Sequence, residues 1–331
     1  MFLGIEIGGT KLQLGVGPGD GTIVALERAR VDPAAGAERI RQQILELVPT
    51  LLSKAGMSKS DIRAVGIGFG GPVDAENGIV TKSHQVEGWV GFPLADWSRR
   101  DLGWPTVVHN DADTAGLAEA CFGAGRGLSP IFYITIGSGI GGGLIIDQKI
   151  YRGAGVGAAE IGQLRLPPDP RRRGGESRIT VEAMCSGWAI GNRTREFIAS
   201  VTRPGTRFWD DAARLFEMVD GKLELLTAET IARAAREGNE LAHTILGAGW
   251  NVLGYAIAQV TTLLCPRRIV IGGGVALMGE ELLFGPLRAE VARFAFPPFA
   301  DIYDIVPAEL GEAVVVQGAL QLARDSIADD R

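Results

Sequence analysis

Twice in this chain a short apolar strand runs into glycines and returns at once as a second strand. Phe2-Leu3-Gly4-Ile5-Glu6-Ile7 turns through Gly8-Gly9-Thr10-Lys11 into Leu12-Gln13-Leu14-Gly15-Val16. Ile131 to Ile136 turns through Gly137-Ser138-Gly139-Ile140-Gly141-Gly142-Gly143 into Leu144-Ile145-Ile146. β-Branched and aliphatic runs broken by glycine read as hairpins, because glycine supplies the turn conformations that side chains resist. A hairpin plan that recurs predicts a duplicated domain. At 331 residues the chain is long for one core, which also favours two domains.

Between the hairpins the spacing predicts an amphipathic helix from about Ala37 to Lys54, with Ile40, Ile44, Leu47 and Leu51 on one face. A buried strand, Ala64 to Phe69, follows and ends in Gly70-Gly71-Pro72-Val73-Asp74. A second, Val107-Val108-His109, runs into Asn110-Asp111-Ala112-Asp113 and then a helical stretch. After the second hairpin, helices are expected over about Ser186 to Ser200, Leu226 to Glu237 and Asn239 to Leu264. The strand Arg268 to Ile271 then runs into Gly272-Gly273-Gly274, and a last helix lies near Gln317 to Ala328. Pro, Arg and Gly mark Leu164 to Arg178 as an irregular loop.

A formal charge of -6 argues against a nucleic-acid partner, which needs a basic face. The one basic run, Arg171-Arg172-Arg173, reads as a solvated loop. Cys121, Cys185 and Cys265 lie far apart, so neither a disulfide framework nor a zinc pair follows. No basic flank precedes an apolar run at the N-terminus, and a cytoplasmic location is expected. Thr244 to Pro266 carries no charge, but its Asn251, Gln259, Thr261 and Thr262 suit a buried helix better than a membrane span.

Two features carry chemistry. Glycine after a strand lets backbone N–H groups approach an anion closely, and three such turns, at Gly8, Gly137 and Gly272, could surround a polyphosphate. Neither a GxxxxGK[ST] loop nor a helix-opening GxGxxG is present, so Walker and Rossmann readings are weak. Asn110 and Asp111 stand at a strand's carboxyl end, where open α/β sheets bind ligands. Taken alone, the same residues read more readily as a helix cap.

Together, Glu6 to Lys11, Asn110-Asp111-Ala112, Thr135 to Gly143, Glu160-Ile161-Gly162 and Ile269 to Gly274 resemble the ordered motifs of the ROK family of sugar kinases and repressors. The resemblance implies two actin-like (ribonuclease H-like) α/β domains with a hexose and ATP in the cleft between them. Residues 1–115 would form the first, completed by the C-terminal helix of 317–331, and residues 116–316 the second. Asp111 would be the general base. Gly71, Asn110, Asp111, Glu160, Gln163 and Glu182 would contact the sugar. Gly8, Gly9, Thr10, Lys11, Gly137, Ser138, Gly139, Gly273 and Gly274 would hold the nucleotide. Glu6 would order Mg²⁺ through water.

Where many members of the family have a zinc-binding His after ExG, this chain has Gln163, and Pro167-Pro168-Asp169-Pro170 stands where they have a cysteine loop. An amide is a poor zinc ligand, so no structural zinc is expected. The resemblance implies a hexose kinase acting on the 6-hydroxyl of glucose or a close relative, and a homodimer. Fructose, mannose or an N-acetylhexosamine as acceptor, and polyphosphate as donor, remain alternatives. A silent sugar-binding regulator is a reading of another class. A repressor is not expected, because the first glycine turn begins only a few residues after Met1.

Overall fold

A computed structural model describes residues 1–83, 86–154, 157–166, 179–200 and 204–328. The first part of the chain forms β1 (Phe2–Ile7), β2 (Lys11–Gly17), β3 (Ala25–Arg30), α1 (Gly36–Lys54), β4 (Val65–Phe69), β5 (Val73–Asp74), β6 (Ile79–Val80), α2 (Leu94–Leu102), β7 (Thr106–Asn110) and α3 (Asp111–Phe122). Then come β8 (Ile131–Ile136), β9 (Ile140–Ile146), β10 (Lys149–Ile150), α4 (Val181–Cys185), α5 (Gly187–Ser200), α6 (Trp209–Glu217), α7 (Ala228–Arg236) and α8 (Glu240–Leu264). The chain finishes with β11 (Arg268–Gly272), α9 (Gly285–Phe294), β12 (Asp304–Pro307) and α10 (Val314–Ser326).

The duplication suggested by the hairpins is visible in the sheets. One five-stranded sheet has the order β3-β2-β1-β4-β7, the other β10-β9-β8-β11-β12. In both, the hairpin is extended by a third strand on one side and by two later strands on the other. β1 pairs antiparallel with β2 and parallel with β4, which pairs parallel with β7. In the second sheet β9 and β10 are antiparallel, β11 and β12 parallel.

Two compact units result, one of residues 1–133, 142–159 and 308–331, the other of residues 134–141 and 160–307. In the first, β1 and β4 are buried along their whole length, as strands covered on both faces must be. α1 covers β2 and β3 with a stripe of Ile40, Ile44, Val48 and Leu51, each fully buried. Such a side chain contributes roughly 1.5–3 kcal/mol of hydrophobic stabilisation. α10 covers β1 and β4 and packs on α3. The approach is close enough that a Cβ on Gly66 would lie 1.9 Å from the Ala319 carbonyl oxygen, and one on Gly318 2.0 Å from that of Thr114. The second unit is built around the 25-residue α8, whose Leu246, Trp250, Leu253 and Ile257 are buried. Among the described residues no helix is long and apolar enough to cross a membrane.

Several boundaries differ from the sequence reading. β9 starts at Ile140, so the second glycine turn spans only Gly137 to Gly139 and the later glycines lie in the strand. α3 packs there, and a Cβ on Gly143 would meet the Ala112 carbonyl and Asp113 Cα at 3.1 Å. The last helix begins earlier, at Val314, and β3, β12, α2, α6 and α9 are additions to the reading. The arginine run, and the Pro167 to Pro170 segment whose lack of cysteine underlies the expectation of no zinc, lie outside the described residues.

Candidate functional site

In the first unit the expected residues gather at the carboxyl ends of β1, β4 and β7. Parallel pairing of these strands brings the turns after Ile7, Phe69 and Asn110 side by side. The Gly70 N–H donates to the Ile7 carbonyl at 2.8 Å, and the Gly8 N–H closes its own turn on the Lys11 carbonyl at 2.9 Å. Asn110 caps α3: its Oδ1 accepts from the Ala112 and Asp113 N–H groups at 2.8 and 3.2 Å. Its Nδ2 donates to the Gly71 carbonyl at 3.0 Å. The cap therefore exists, and one Nδ2 hydrogen remains for a ligand.

Asp111 is the first residue of α3, and its Oδ1 accepts from the Ala112 N–H at 2.9 Å. Its Oδ2 lies 3.5 Å from where a Gly70 Cβ would stand, a point itself 3.4 Å from Gly8 Cα. The carboxylate thus faces the glycine turns, and the helix N-terminus favours its charge. Asp113 sits in the same first turn, buried. His109 points to the other side of β7, buried, and desolvation, then the positive charge of Arg152, push its pKa down to about 4.

Glu6 lies at the end of β1, with Oε1 3.1 Å from Lys11 Nζ and Oε2 2.5 Å from Gln13 Nε2. A single carboxylate beside a glycine turn fits Mg²⁺, which keeps several waters and takes one or two carboxylates plus substrate phosphates. Among the described residues no cluster of three or more His, Cys, Asp or Glu side chains could hold a metal alone.

In the second unit three of the expected motifs converge on Ile140. Its N–H donates to Glu182 Oε2 at 2.8 Å. Its carbonyl oxygen lies 2.2 Å from where a Cβ on Gly162 would be, which explains the glycine of Glu160-Ile161-Gly162. Glu160 and Glu182 are thereby held beside the Gly137 to Gly139 turn. Glu160 presents its side chain to solvent, yet protein packed round its carboxyl, then the like charge of Glu182, raise its pKa above the usual carboxylate range. Gln163 ends the short turn after Glu160, exposed, its N–H on the Glu160 carbonyl at 3.0 Å.

The third glycine turn abuts the second. Gly273 has φ +86°, and a Cβ there would stand 2.5 Å from the Ile136 carbonyl oxygen. Beside these turns opens a cavity of about 730 Å³, walled by Gly137, Ser138, Gly274, Trp188, Leu277 and Arg236 among others. The Gly187 N–H at the start of α5 donates to the Gly137 carbonyl at 2.8 Å and so seats Trp188 at the turn. Ligand cavities run to roughly 300–1,000 Å³ with apolar walls and a few polar groups. Trp188 and Leu277 were not singled out from sequence. Their signal is chemical: at 66% and 84% exposed they are large apolar side chains left open beside a cavity.

The ROK family model matches residues 2–326 of this chain. A glucokinase of Thermotoga maritima is 31% identical over 326 residues, 98% of either chain. Among solved structures, a ROK family glucokinase from Streptomyces griseus in complex with glucose and AMPPNP matches with a TM-score of 0.79 and 31% identity, over 98% of this chain and 99% of that one. A ROK hexokinase from Thermus thermophilus matches with a TM-score of 0.78 and 25% identity, over 99% of both.

Proposed function

Because the chain belongs to the ROK family, and its fold is that of two actin-like domains, we propose that it is an ATP-dependent hexose kinase with Asp111 as general base. The acceptor is the 6-hydroxyl of glucose or of a close relative. The observation that carries the reading is the Asp111 carboxylate, set at a helix N-terminus and facing glycine turns, in a chain with full-length likeness to glucokinases. The neighbour's bound glucose and AMPPNP support these ligands here.

In the reaction the sugar hydroxyl oxygen bonds to the γ-phosphorus, the bond from that phosphorus to the β-phosphate's bridging oxygen breaks, and ADP leaves. Asp111 accepts the hydroxyl proton, a task within reach of a carboxylate because the proton leaves as the new bond forms. Asn110, through its remaining amide hydrogen, and the Gly71 backbone orient the sugar, helped by Glu160, Gln163 and Glu182. Gly8 to Lys11, Gly137 to Gly139, Gly273 and Gly274 receive the nucleotide. The cavity walled by Trp188 and Leu277 is of a size for an adenosine moiety, which favours ATP over polyphosphate, for which it would stand idle. Glu6 would hold magnesium through water, and the bound ion would neutralise phosphate charge. A homodimer and a cytoplasmic setting complete the reading.

An assay of the sugar phosphate formed from glucose, mannose, fructose and N-acetylated hexoses, with ATP and polyphosphate as donors and ADP release followed in the ATP arm, tests it. Hexose-dependent ADP release, fastest with glucose, is expected. No turnover with any sugar would favour the silent binder.

A further inference from the structure

We propose that Gln13 is a positioning residue for phosphoryl transfer: its buried amide fixes the Glu6 carboxylate and ties it to the helix that carries Asp111. The proposal rests on the kinase reading above, in which Glu6 orders the metal and Asp111 takes the proton.

β2 alternates, with Leu12, Leu14 and Val16 on one face and Lys11, Gln13 and Gly15 on the other. Gln13 is 0% exposed, and an amide taken wholly out of water is unfavourable unless its hydrogen bonds are met. They are met by a chosen set of partners. Hairpin register sets Gln13 directly opposite Glu6. Nε2 donates to Glu6 Oε2 at 2.5 Å and to the Glu312 carbonyl at 2.9 Å, while Oε1 accepts from Arg28 Nε at 2.7 Å. A flipped amide would set its oxygen against a carboxylate and a carbonyl, so the chemistry admits one orientation. Both Nε2 hydrogens are in use, and Oε2 of Glu6 is pinned where Lys11 alone, 3.1 Å from Oε1, would let it swing.

The Glu312 carbonyl is itself held. It also accepts from Lys11 Nζ at 3.4 Å, and the backbone just before it is anchored by Glu119, a carboxylate with 0% exposure. Glu119 Oε1 accepts from the Glu309 and Leu310 N–H groups at 3.0 and 2.9 Å, and Oε2 from the Ala124 N–H at 2.8 Å. Glu119 stands about two turns along α3 from Asp111. A continuous hydrogen-bonded path thus runs from the helix of the base, through Glu119, the 309–312 backbone and Gln13, to Glu6. A purely space-filling residue at Gln13 would keep the strand and lose this link.

The test uses the full chain with Gln13→Met, which keeps length and volume but donates nothing, Glu6→Gln, and the double variant. Steady-state kinetics and calorimetric titration with ATP, at stepped Mg²⁺ concentrations, are read for each. Gln13→Met should lower kcat by about 10- to 100-fold, move the Mg²⁺ dependence of ATP binding to higher concentration and leave the KM for hexose within about twofold. In the Glu6→Gln background the same change should cost under about threefold, because its route through Glu6 is already gone. Equal losses in both backgrounds, or an unchanged Mg²⁺ dependence in Gln13→Met, would overturn the proposal. If Gln13→Met does not fold, Gln13→Glu, which retains the acceptor for Arg28 but sets a carboxylate against Glu6, is judged by the same criteria. A wild-type protein with no hexose-dependent turnover would overturn the kinase reading itself, and this inference with it, whereas wild-type turnover with equal losses in both backgrounds overturns this inference alone.

Discussion

The Nδ2 of Asn110 donates to the Gly71 carbonyl at 3.0 Å while its Oδ1 caps α3, so one side chain joins a helix start to the turn after β4. The two halves of that amide separate by mutation. Asn110→Asp keeps an oxygen for the cap but sets a carboxylate against the Gly71 carbonyl, and Asn110→Ala loses cap and donor together, so each should cost about 1 kcal/mol or more. Both lose the donor, so both should raise the KM for hexose by about tenfold or more. Chemical denaturation beside hexose titrations checks this, and a wild-type KM in Asn110→Asp would refute the sugar contact.

Glu182 gives one oxygen to the Ile140 N–H at 2.8 Å, which ties the proposed sugar contact to the proposed phosphate turn. Glu182→Gln can still accept from that N–H and should chiefly raise the KM for hexose. Glu182→Ala also frees the turn and should lower kcat by a further factor of about 10. Kinetics with each substrate varied in turn decide it; identical behaviour of the two variants would count against the double role.

Trp188 and Leu277 stand open beside the cavity next to Gly137 and Gly274. Trp188→Ala should raise the KM for ATP by about tenfold, from the loss of about 1–2 kcal/mol of base contact, and leave the KM for hexose unchanged. ATP titration of tryptophan fluorescence should show quenching in the wild type that the variant lacks. Quenching of equal size in both would remove Trp188 from the nucleotide site.

His109 is buried with its pKa pushed down to about 4, against about 6.5 for a free imidazole. Between those values the unfolded chain takes up a proton that the folded chain refuses. Stability from this residue is therefore complete above about pH 6.5 and is lost as pH falls towards 4, by about 3 kcal/mol in all. Denaturation midpoints of wild type and His109→Gln at pH 7 and pH 4.5 measure it. A variant as acid-sensitive as the wild type would assign the loss to other groups.

What was legible in the sequence was what local chemistry dictates. The hairpins at Ile7 and Ile136 follow from β-branched runs broken by glycine, and α1 from the spacing of Ile40, Ile44 and Leu51. β9 was misjudged at its start because glycine reads as turn, whereas Gly143 is small for the sake of α3, far earlier in the chain. β12 is a strand of four residues whose place depends on β11 beside it. In the site, Asp111 stood out because it follows a strand directly. Gln13 did not, although the register of a tight hairpin already sets it opposite Glu6. Trp188 was hidden because an aromatic residue near a helix start looks like core until its exposure is seen.

Transfer of labelled phosphate from [γ-³²P]ATP to glucose in a single turnover, for wild type and Asp111→Asn, tests the central claim most directly. The variant keeps the size of the side chain and loses the proton acceptor. The account predicts glucose 6-phosphate as the labelled product of the wild type, formed about 10²- to 10⁴-fold more slowly by Asp111→Asn, with glucose affinity changed by under about fivefold. Equal rates of label transfer in the two proteins would contradict it.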